Sequence, residues 1–562
     1  MRFEAVEASC APVNSLRLNS LVYRRYPLAI LAGLLLAAAF PKIGVAGFAW
    51  IAPGLMAAAS FGKNGADRFR IGYVGGLVFY LATLYWLLLI PYRWHSIPLA
   101  PGAGWLALGA YLALYPAIWV WCVGKAQSPS GEAKTWLAET WAGRTCWALG
   151  GAVLWVGLEM VIARLFSGFP WNLLGTCQYR LVPIIQICSV TGVYGVSFLV
   201  IWFSLSLVSA GLALLRRPAR HSLWITEILL PIVVVAIIFN LGYREIRRAQ
   251  NESRFLKVTF VQPSIPQTLI WDPSKDDERF RELINLSSRA LTNHPDLLLW
   301  PEAAVPKLLR YDKETFEALT GLARSNHVWM IVGSDDAEPR EPQIKPNDAD
   351  YFNSSFLIDR EGKLVGRYRK RSLVIFGEYI PLERWLPIVK WFTPIQGGFT
   401  PGDRPVPFEL PDIPAKTSVL ICFEDVFPHL AREYAQPDTD FLVNITNNGW
   451  FGEGAAQWQH AVTALFRAVE NGLPLLRCSN NGLTCWVDRH GRLREIFHDS
   501  NNTVYGPGFM TTEVPLLERG SVRTPTFYNQ HGDLFGWSCV VLSVAMFAFR
   551  IVRRRPQPLA KA

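Results

Sequence analysis

Long apolar runs separated by short polar segments dominate the first 244 residues of the chain. A bilayer core about 30 Å thick requires about 20 apolar residues per helix, and eight runs approach that length. They cover residues 27–41, 44–60, 71–90, 104–124, 146–166, 191–215, 223–243 and 534–552. The pattern predicts a membrane α-helical bundle of about eight spans. The first run also has the texture of a cleavable signal peptide, but the seven further spans make that interpretation unnecessary.

Basic residues are distributed unevenly between the loops on the two sides of these spans. Eighteen lie on the side of the two termini, whereas the opposite short loops hold four, namely Lys42, Arg93, Arg164 and Arg180. Cytoplasmic loops carry the excess of Lys and Arg in membrane proteins. We therefore expect both termini in the cytoplasm and the long segment between spans seven and eight outside it.

The segment from about 245 to 530 combines short β-runs with amphipathic helical stretches. Strands are predicted at 256–261, 296–300, 328–332, 418–422, 441–445, 475–478 and 483–487, with a hairpin over 356–369. Helices are predicted at 278–293 and 313–326. This order predicts a layered α/β domain large enough to bury its own core. The predicted domains are a membrane domain over 1–244, an exported domain over 245–530, and a final span with a basic tail over 531–562.

Composition agrees with a membrane region joined to a water-soluble domain. The 562 residues are 51% hydrophobic and 18% charged, and they include 22 Trp and 32 Phe. These values exclude a disordered chain and a wholly soluble protein. The net charge of +10 is accounted for by the loops that flank the membrane spans, so nucleic acid is not an expected partner.

The cysteines and histidines form no recognised metal or redox pattern. The nine cysteines contain no CxxC pair, and the histidines form no HExxH spacing. The sequence also has no Walker loop and no GxGxxG segment after a predicted strand. Neither a metal nor any other cofactor is therefore expected, while a Cys478–Cys485 bridge stays open.

Three predicted strand ends carry reactive side chains, which are Glu302, Lys370 and Cys422. In layered α/β domains the chemistry gathers beyond the carboxyl ends of the strands. A glutamate at such a site takes the thiol proton, and a lysine stabilises both the thiolate and an oxyanion. We expect the lysine to lower the pKa of the thiol. The three side chains together indicate a nucleophilic site.

Each of these residues also has a simpler interpretation. A cysteine after four apolar residues is often a small buried hydrophobic residue. Glu302 follows Trp-Pro and is also suited to capping a helix, and Lys370 lies within a basic run that includes Arg367, Arg369 and Arg371. A rival dyad of Cys422 with His429 has suitable residue types, but no other feature supports it.

Around these residues the sequence closely resembles the nitrilase superfamily and, within it, the membrane branch formed by the apolipoprotein N-acyltransferases. The GFPWN loop at 168–172 is similar to a signature of that branch's membrane region. The other matching segments are VQPSIPQTLIWDP (261–273), WPEA (300–303), KRSLVIFGEYIPL (370–382), LICFED (420–425), NITNNGWFG (444–452) and RAVENGLPLLRCSNNGLT (467–484). The resemblance covers most of the chain and implies an exported nitrilase-like αββα sandwich.

The resemblance implies that Glu302 is the general base, Lys370 the oxyanion stabiliser and Cys422 the nucleophile. Supporting or substrate-binding roles fall to four further residues, Glu378, Glu424, Phe423 and Trp271. The implied reaction moves an acyl chain from a phospholipid to the α-amine of a diacylglyceryl-cysteine on an apolipoprotein. The implied location is the bacterial inner membrane, with a periplasmic catalytic domain, and a monomer is expected.

The sequence departs from the family pattern at a few positions near the site. Phe423 stands where a tyrosine usually follows the nucleophile, and Ser372 and Ile375 replace the usual histidine and proline. Asn448-Gly449 replaces an Asp-Ala pair. All three members of the triad are present, so these departures bear on substrate fit more than on the reaction.

An apolar, aromatic segment over 385–399 follows the lysine segment. We interpret it as a mobile lid at the membrane surface, with Trp385, Trp391 and Phe392 as its aromatic contacts and Gly397-Gly398 as its hinge. The alternative interpretation is a buried loop.

Two other functions are compatible with a membrane region joined to an exported domain. The first is an exported amidohydrolase of the same superfamily that is merely tethered to the membrane. The second is a transporter or receptor with an exported binding domain. The spans hold few ionisable groups that would serve a transport path, chiefly Glu159, Arg164 and Glu227, which argues against the second.

Overall fold

Helices occur in all eight of the apolar runs. The computed structural model describes residues 25–90, 99–125, 140–216, 225–248, 254–270, 272–340, 349–380, 398–518 and 523–553. Its helical region comprises α1 (Arg25–Ala38), α2 (Ala52–Ala59), α3 (Gly65–Thr83), α4 (Ala100–Leu112), α5 (Leu114–Lys125), α6 (Trp141–Ile162), α7 (Val182–Ile185), α8 (Cys188–Thr191), α9 (Val193–Arg216) and α10 (Ile225–Arg247). The last helix of the chain, Leu534–Arg553, also packs in this region.

Four of these helical stretches are long and apolar enough to cross a membrane. They are Ala100–Gly124, Trp141–Ile162, Val193–Leu215 and Ile225–Arg247. Four further apolar helical stretches are shorter, with 10–17 residues, and they are Arg25–Ala38, Ala46–Ala59, Val182–Thr191 and Leu534–Phe549. An apolar helical region is therefore present, whereas the number of spans and their orientation stay predictions.

The three ionisable groups that the sequence singled out in the spans, Glu159, Arg164 and Glu227, each contact a partner. Arg144 of α6 and Glu227 of α10 form a fully buried ion pair. Arg164 pairs with Asp533, just before the last helix, and Glu159 accepts a hydrogen bond from a backbone N–H. These contacts hold helices together, which is a structural use of charge and gives no support to a transport path.

The rest of the described chain forms two six-stranded sheets. The first has the order β12-β1-β2-β3-β4-β5 and the second the order β11-β10-β9-β8-β7-β6. The strands are β1 (Arg254–Gln262), β2 (Leu297–Leu299), β3 (Trp329–Pro339), β4 (Ala349–Ile358), β5 (Leu364–Arg369), β6 (Pro407–Leu410), β7 (Ala415–Ile421), β8 (Phe441–Thr446), β9 (Leu475–Ser479), β10 (Cys485–Val487), β11 (Leu493–Ile496) and β12 (Gly508–Leu516). The helices are α11 (Gln267–Ile270), α12 (Asp276–Leu291), α13 (Lys313–Asn326), α14 (Pro428–Tyr434), α15 (Ala455–Asn471), α16 (Phe527–His531) and α17 (Leu534–Arg553).

Alternation along the strands of the first sheet shows how the layers stack. In β2, Leu297 and Leu299 face the core shared with the second sheet, whereas Leu298 packs with Leu283 of α12 and Leu319 of α13. Successive side chains of a strand point to opposite faces, so one face of this sheet meets the other sheet and the other face meets helices. The layered α/β architecture is therefore confirmed.

The predicted strands and the hairpin between β4 and β5 are confirmed, and the helix over 313–326 has the predicted bounds. Strands β6, β11 and β12 and the long helix α15 were not predicted from the sequence. The three strands lie at or next to the outer sides of the sheets and lack a clear alternation of apolar residues. The polar residues of the helix are all buried, and a hydrophobic pattern does not predict buried polar positions.

Helix α15 joins the second sheet to the helical region, and all its residues except Trp458 are buried. The side chain of Gln459 is the main polar contact of this junction. Its Oε1 accepts hydrogen bonds from the indole N–H groups of Trp86 at 3.1 Å and Trp171 at 2.9 Å. Its Nε2 donates to the carbonyl of Pro41 at 2.8 Å. One amide therefore satisfies buried groups from three segments of the helical region.

We predict that Gln459→Ala destabilises the protein. The change leaves two buried indole N–H groups without an acceptor, and each such group costs about 1–3 kcal/mol. The total loss is about 2–4 kcal/mol, measured as a lower midpoint of thermal unfolding of the purified protein in detergent. Gln530→Ala, at an exposed glutamine, is the matched control and should shift the midpoint little. Equal shifts for both variants would contradict the role of Gln459.

Candidate active site

Glu302, Lys370 and Cys422 each follow the end of a strand, and the structure brings the three turns together. The Nζ of Lys370 lies 3.2 Å from the Oε1 of Glu302. The charges of Glu302 and Lys370 both act on the pKa of the Cys422 thiol. Glu302 and Lys370 come from the first sheet and Cys422 from the second, so the site lies where the two sheets meet.

The Glu302 turn lies directly over β3, and Gly333 makes this close approach possible. A Cβ at Gly333 would lie 2.3 Å from the carbonyl oxygen of Pro301 and 2.8 Å from the Cα of Glu302. Ala303 has a φ of +50°, which reverses the chain immediately after the glutamate. The position of Glu302 therefore depends on a glycine in a neighbouring strand.

Cys422 lies on a sharp turn between β7 and a short 3₁₀ helix. Its φ of +51° is uncommon for a residue with a side chain, and such strain concentrates at functional sites. The turn is fixed on both sides of the cysteine. The Ile421 N–H donates to the Oε2 of Glu424 at 2.7 Å, and the side-chain amide of Asn444 donates to the Cys422 carbonyl at 3.1 Å.

Lys370 is a buried ammonium between two carboxylates. Its side chain is 1% exposed, and its Nζ contacts Glu378 at 2.8 Å as well as Glu302. Burial lowers the pKa of Lys370, but the charges of Glu302 and Glu378 outweigh burial and hold it well above its ordinary value. The ammonium is therefore charged at neutral pH. Its third N–H has no acceptor among the described residues and is free to donate to a developing oxyanion.

Asn353 and two backbone groups hold the carboxylates in place. The Nδ2 of Asn353 donates to the Oε1 of Glu302 at 2.8 Å and to the Oε1 of Glu378 at 2.9 Å. The second oxygen of Glu302 accepts from the N–H of Asn447 at 2.8 Å, and that of Glu378 accepts from the N–H of Val374 at 2.8 Å. The orientation of both carboxylates is thus set before a substrate arrives.

Glu424 holds the lysine turn and the cysteine turn together. It is completely buried, and its carboxylate accepts from the N–H groups of Ile421 and Arg371 at 2.7 Å each and from the hydroxyl of Tyr368 at 2.8 Å. Burial raises the pKa of Glu424, and the two backbone hydrogen bonds oppose that rise. Glu424 is a positioning residue in this arrangement.

Lys370 lowers the pKa of the Cys422 thiol as expected, but other effects outweigh it. Burial and the charge of Glu302 raise the pKa of Cys422 to about 12, against the opposing effect of Lys370. The ammonium is already neutralised by two carboxylates, so it has little charge left with which to stabilise a thiolate. Cys422 is therefore a neutral thiol at rest and needs a base when it attacks.

Phe423 connects the site to the helical region. Its ring stacks on Trp171 with centroids 6.0 Å apart and planes at 18°, and it lies 6.1 Å from the ring of Phe169. Both partners belong to the GFPWN loop at 168–172. The residue after the thiol therefore contacts the helical region directly.

The structure removes two of the alternatives. Within the described residues His429 makes no hydrogen bond to Cys422, and its ring packs against Phe427. Cys478 and Cys485 are both buried free thiols, so the bridge that the sequence left open does not form.

Several predicted residues lie outside the described part of the chain. These are Trp271 and the lid positions Trp385, Trp391, Phe392 and Gly397. Gly398 is described, and its backbone lies beside that of Glu378. The lid stays a prediction.

Two polar contacts of the site were not predicted from the sequence. They are made by the side chain of Asn353 and by the N–H of Asn447. One signal was available, because Asn353-Ser354-Ser355 is a polar trio inside the otherwise apolar strand β4. Buried polar residues within a strand require partners, which marks such a trio as a place to look for a site.

Two family models match this chain. The carbon-nitrogen hydrolase model covers residues 257–507, and the apolipoprotein N-acyltransferase N-terminal domain model covers residues 32–206. The chain is 36% identical to the apolipoprotein N-acyltransferase of Geobacter metallireducens, over 94% of this chain and 96% of that protein. It is 31% identical to the one from Rhizobium rhizogenes, over 84% and 87% of the respective chains. Among solved structures, a Nesterenkonia amidase from the nitrilase superfamily matches 48% of this chain and 92% of its own, with 17% identity and a TM-score of 0.35.

We predict that alkylation of Cys422 by iodoacetamide rises about tenfold per pH unit from pH 7 to 10 without a plateau. The thiolate is the reacting form, and a thiol with a pKa of about 12 stays largely protonated over that range. Peptide mass spectrometry of the labelled protein measures the rate. A free cysteine peptide, whose labelling levels off above a pKa near 8.5, is the control for the reagent.

Glu302→Gln provides the matched variant of that experiment. Removal of the carboxylate charge lowers the thiol pKa, so the variant should label faster than the native protein at the same pH. A plateau near pH 8 in the native protein, or slower labelling of the variant, would mean that the resting site holds a thiolate.

Proposed function

The chain belongs to the apolipoprotein N-acyltransferase family, and we propose that Glu302, Lys370 and Cys422 carry out lipoprotein N-acylation through a cysteine thioester. The protein is an acyltransferase. The observation that carries the proposal is the buried ammonium of Lys370, in contact with Glu302 at 3.2 Å and acting on the Cys422 thiol. A base, an oxyanion donor and a nucleophile are the three parts that acyl transfer through a thioester requires.

In the first half-reaction the acyl donor is a phospholipid. Glu302 takes the proton of the Cys422 thiol as the sulfur attacks the ester carbonyl, because a thiol with so high a pKa does not ionise beforehand. The free N–H of Lys370 donates to the oxyanion of the tetrahedral intermediate. Glu302 then protonates the leaving alcohol, and a lysophospholipid departs from the thioester.

In the second half-reaction the α-amine of a diacylglyceryl-cysteine on an apolipoprotein attacks the thioester. The thioester holds the acyl group after the first product has left, so donor and acceptor do not have to be bound together. Ping-pong kinetics follow from this order.

The contact between Phe423 and Trp171 supports a site that works at a membrane. The residue next to the nucleophile packs directly on the helical region, and both lipid substrates reside in a bilayer. We place the protein in the bacterial inner membrane as a monomer with about eight spans. Its membrane domain covers 1–244, its periplasmic catalytic domain 245–530, and its last span and cytoplasmic tail 531–562.

The supporting residues fit the same scheme. Glu378 shares the lysine with Glu302, Glu424 fixes the cysteine turn, and Phe423 faces the helical region. Trp271 contacts substrate, and the 385–399 segment closes over the bound lipid with Gly397-Gly398 as hinge.

A membrane-tethered amidohydrolase would use the same triad but pass the acyl group to water. The two reactions differ in their product, since a hydrolase releases a free acid and a transferase leaves the acyl group on an amine. The fate of a labelled acyl chain therefore distinguishes them in a single assay.

We predict that phospholipid alone adds one acyl mass to the peptide that contains Cys422. Mass spectrometry after incubation with phospholipid vesicles measures this adduct. Cys422→Ala should abolish both the adduct and transfer, and Cys422→Ser should be nearly as poor, because an alkoxide forms far less readily than a thiolate. Glu302→Gln should slow acylation by about 10²–10⁴-fold, and Lys370→Ala by about 10²–10³-fold.

Both of the last two variants should still bind phospholipid while they accumulate little acyl-enzyme. Acylation at Cys478 or Cys485, or normal transfer by Cys422→Ala, would show that the triad is assigned to the wrong residues. Release of labelled free acid in the presence of an acceptor lipopeptide would favour the hydrolase.

Membrane topology gives a separate prediction. The excess of basic residues on one side places residues 65, 130 and 218 in the cytoplasm and residue 345 in the periplasm. Reporter fusions at these positions measure the side, with alkaline phosphatase active only after export. A cytoplasmic reading at 345 would put the thiol on the wrong side for exported lipoproteins.

A further inference from the structure

A fourth acidic residue, Asp335, lies in the same row of the first sheet as the catalytic lysine. Asp335 of β3 is directly opposite Asn353 of β4, and the Lys370 N–H donates to the Asn353 carbonyl at 2.8 Å. Residues opposite each other in an antiparallel pair present their side chains on one face. Asp335 also shares its face with Gly333, two residues earlier, over which Glu302 lies. Its carboxyl group therefore belongs to the site.

Asp335 is unlike the acids around it because it has no partner in the described part of the chain. Among the residues that the structure describes, no hydrogen bond or ion pair reaches its carboxylate, and part of its surface stays accessible. The adjacent Asp336 points to the opposite face and pairs with Arg310, Arg367 and Arg369. An acid that faces a site and has no protein partner is suited to a donor from outside the protein.

A second unpaired acceptor lies beside it. The Oδ1 of Asn353 is buried and makes no hydrogen bond to any residue that the structure describes, and Asn353 as a whole is 5% exposed. Its orientation is settled, because the Nδ2 donates to two carboxylates that can only accept. A buried acceptor without a donor is costly, and a substrate N–H placed here would satisfy it.

The charges of the site favour a cation at this position. The groups facing Asp335 are Glu302, Glu378 and Lys370, with Asp336 behind it on its own strand. Burial, the two glutamates and Asp336 raise the pKa of Asp335 to about 7, and Lys370 opposes them. The carboxyl group therefore titrates close to an N-terminal α-amine, whose ordinary pKa is about 7.7–8.0.

Aminolysis of a thioester has a proton requirement that Glu302 alone does not meet. An α-amine is mostly an ammonium at neutral pH and must lose one proton before it attacks. The nitrogen loses a second proton when the tetrahedral intermediate collapses to an amide. Two acceptors are needed, and Glu302 is already engaged by Lys370, Asn353 and the N–H of Asn447.

We propose that Asp335 and the Oδ1 of Asn353 receive the α-ammonium of the acceptor lipoprotein, and that the Asp335 carboxylate takes its first proton. The free amine then forms the C–N bond at the thioester carbonyl while Lys370 holds the oxyanion. Glu302 takes the second proton and returns it to the Cys422 sulfur as the C–S bond breaks. Asp335 releases its proton to water through its accessible surface. This inference rests on the proposed thioester function.

The test separates the two half-reactions. Native protein, Asp335→Asn and the control Glu317→Gln, at an exposed acid of α13, are acylated from vesicles of phosphatidylethanolamine and phosphatidylglycerol. The acyl-enzymes are then mixed with a synthetic S-diacylglyceryl-cysteinyl peptide at pH 6 to 9. Loss of the acyl adduct and formation of the N-acyl peptide are followed by mass spectrometry.

Asp335→Asn should form acyl-enzyme within about twofold of the native rate but transfer it to the peptide about 10²-fold more slowly at pH 7. The difference in transfer rate should shrink as the pH rises past the pKa of the α-amine, because the amine then arrives unprotonated. Hydroxylamine, which is already unprotonated at neutral pH, should react equally with both acyl-enzymes. Asp335→Glu should restore part of the transfer at pH 7, because it restores a carboxylate.

Two results would overturn the assignment of Asp335. One is that the transfer rate of Asp335→Asn depends on pH in the same way as that of the native protein. The other is that Asp335→Asn slows the reactions of the acyl-enzyme with hydroxylamine and with the peptide equally. An Asp335→Asn protein that no longer acylates would also refute it, since the residue would then serve the first half-reaction or the fold. Failure of the native protein to form any acyl-enzyme would instead overturn the thioester function, and the inference with it.

Discussion

The ammonium of Lys370, buried between two carboxylates, is the interaction on which the rest of the site depends. A charge that is 1% exposed is tolerated only with partners, and removal of one partner of such a pair leaves an uncompensated charge that costs several kcal/mol. Glu302 and Glu378 must therefore reach the same nitrogen. That requirement brings the turn after β2 close to the turn after β5. Gly333 leaves room for the turn after β2. The geometry of catalysis and the electrostatics of folding impose the same arrangement here.

The site lies between the two sheets, and helix α15 connects it to the apolar helical region. Its Gln459 binds three segments of the helical region. The neighbouring His460 forms a hydrogen bond of 2.8 Å between its Nε2 and the Oδ1 of Asp425, and Asp425 lies three residues after the nucleophile. The stacking of Phe423 on Trp171 makes a second connection on the other side of the cysteine. Two separate sets of contacts therefore join the helical region to the nucleophile turn.

The sequence shows where reactive residues leave the sheets, but it does not show what surrounds them. Glu302, Lys370 and Cys422 were recognisable because each follows a predicted strand, and strand ends are where such domains place their chemistry. The shared contacts of Asn353 depend on strand register, which brings together residues far apart in the chain. The lysine's effect on the thiol pKa was predicted in the right direction, but the larger opposing effect of burial was not, because burial cannot be read from a run of four apolar residues. Helix α15 was missed because its polar residues are satisfied by partners that only the tertiary structure reveals.

A thiol that is neutral at rest suits an enzyme that must avoid side reactions. A thiolate at Cys422 would add a third negative charge beside Glu302 and Glu378, with a single ammonium to balance them, so burial and repulsion keep the proton on sulfur. In the proposed mechanism, the proton leaves only when an ester carbonyl is in position and the new charge passes to an oxyanion next to Lys370. Nucleophilicity is thus coupled to the presence of the substrate. In the proposed mechanism, the same excess of negative charge favours an ammonium over a neutral molecule as the next partner of the thioester, which is the selectivity that a transferase needs against water.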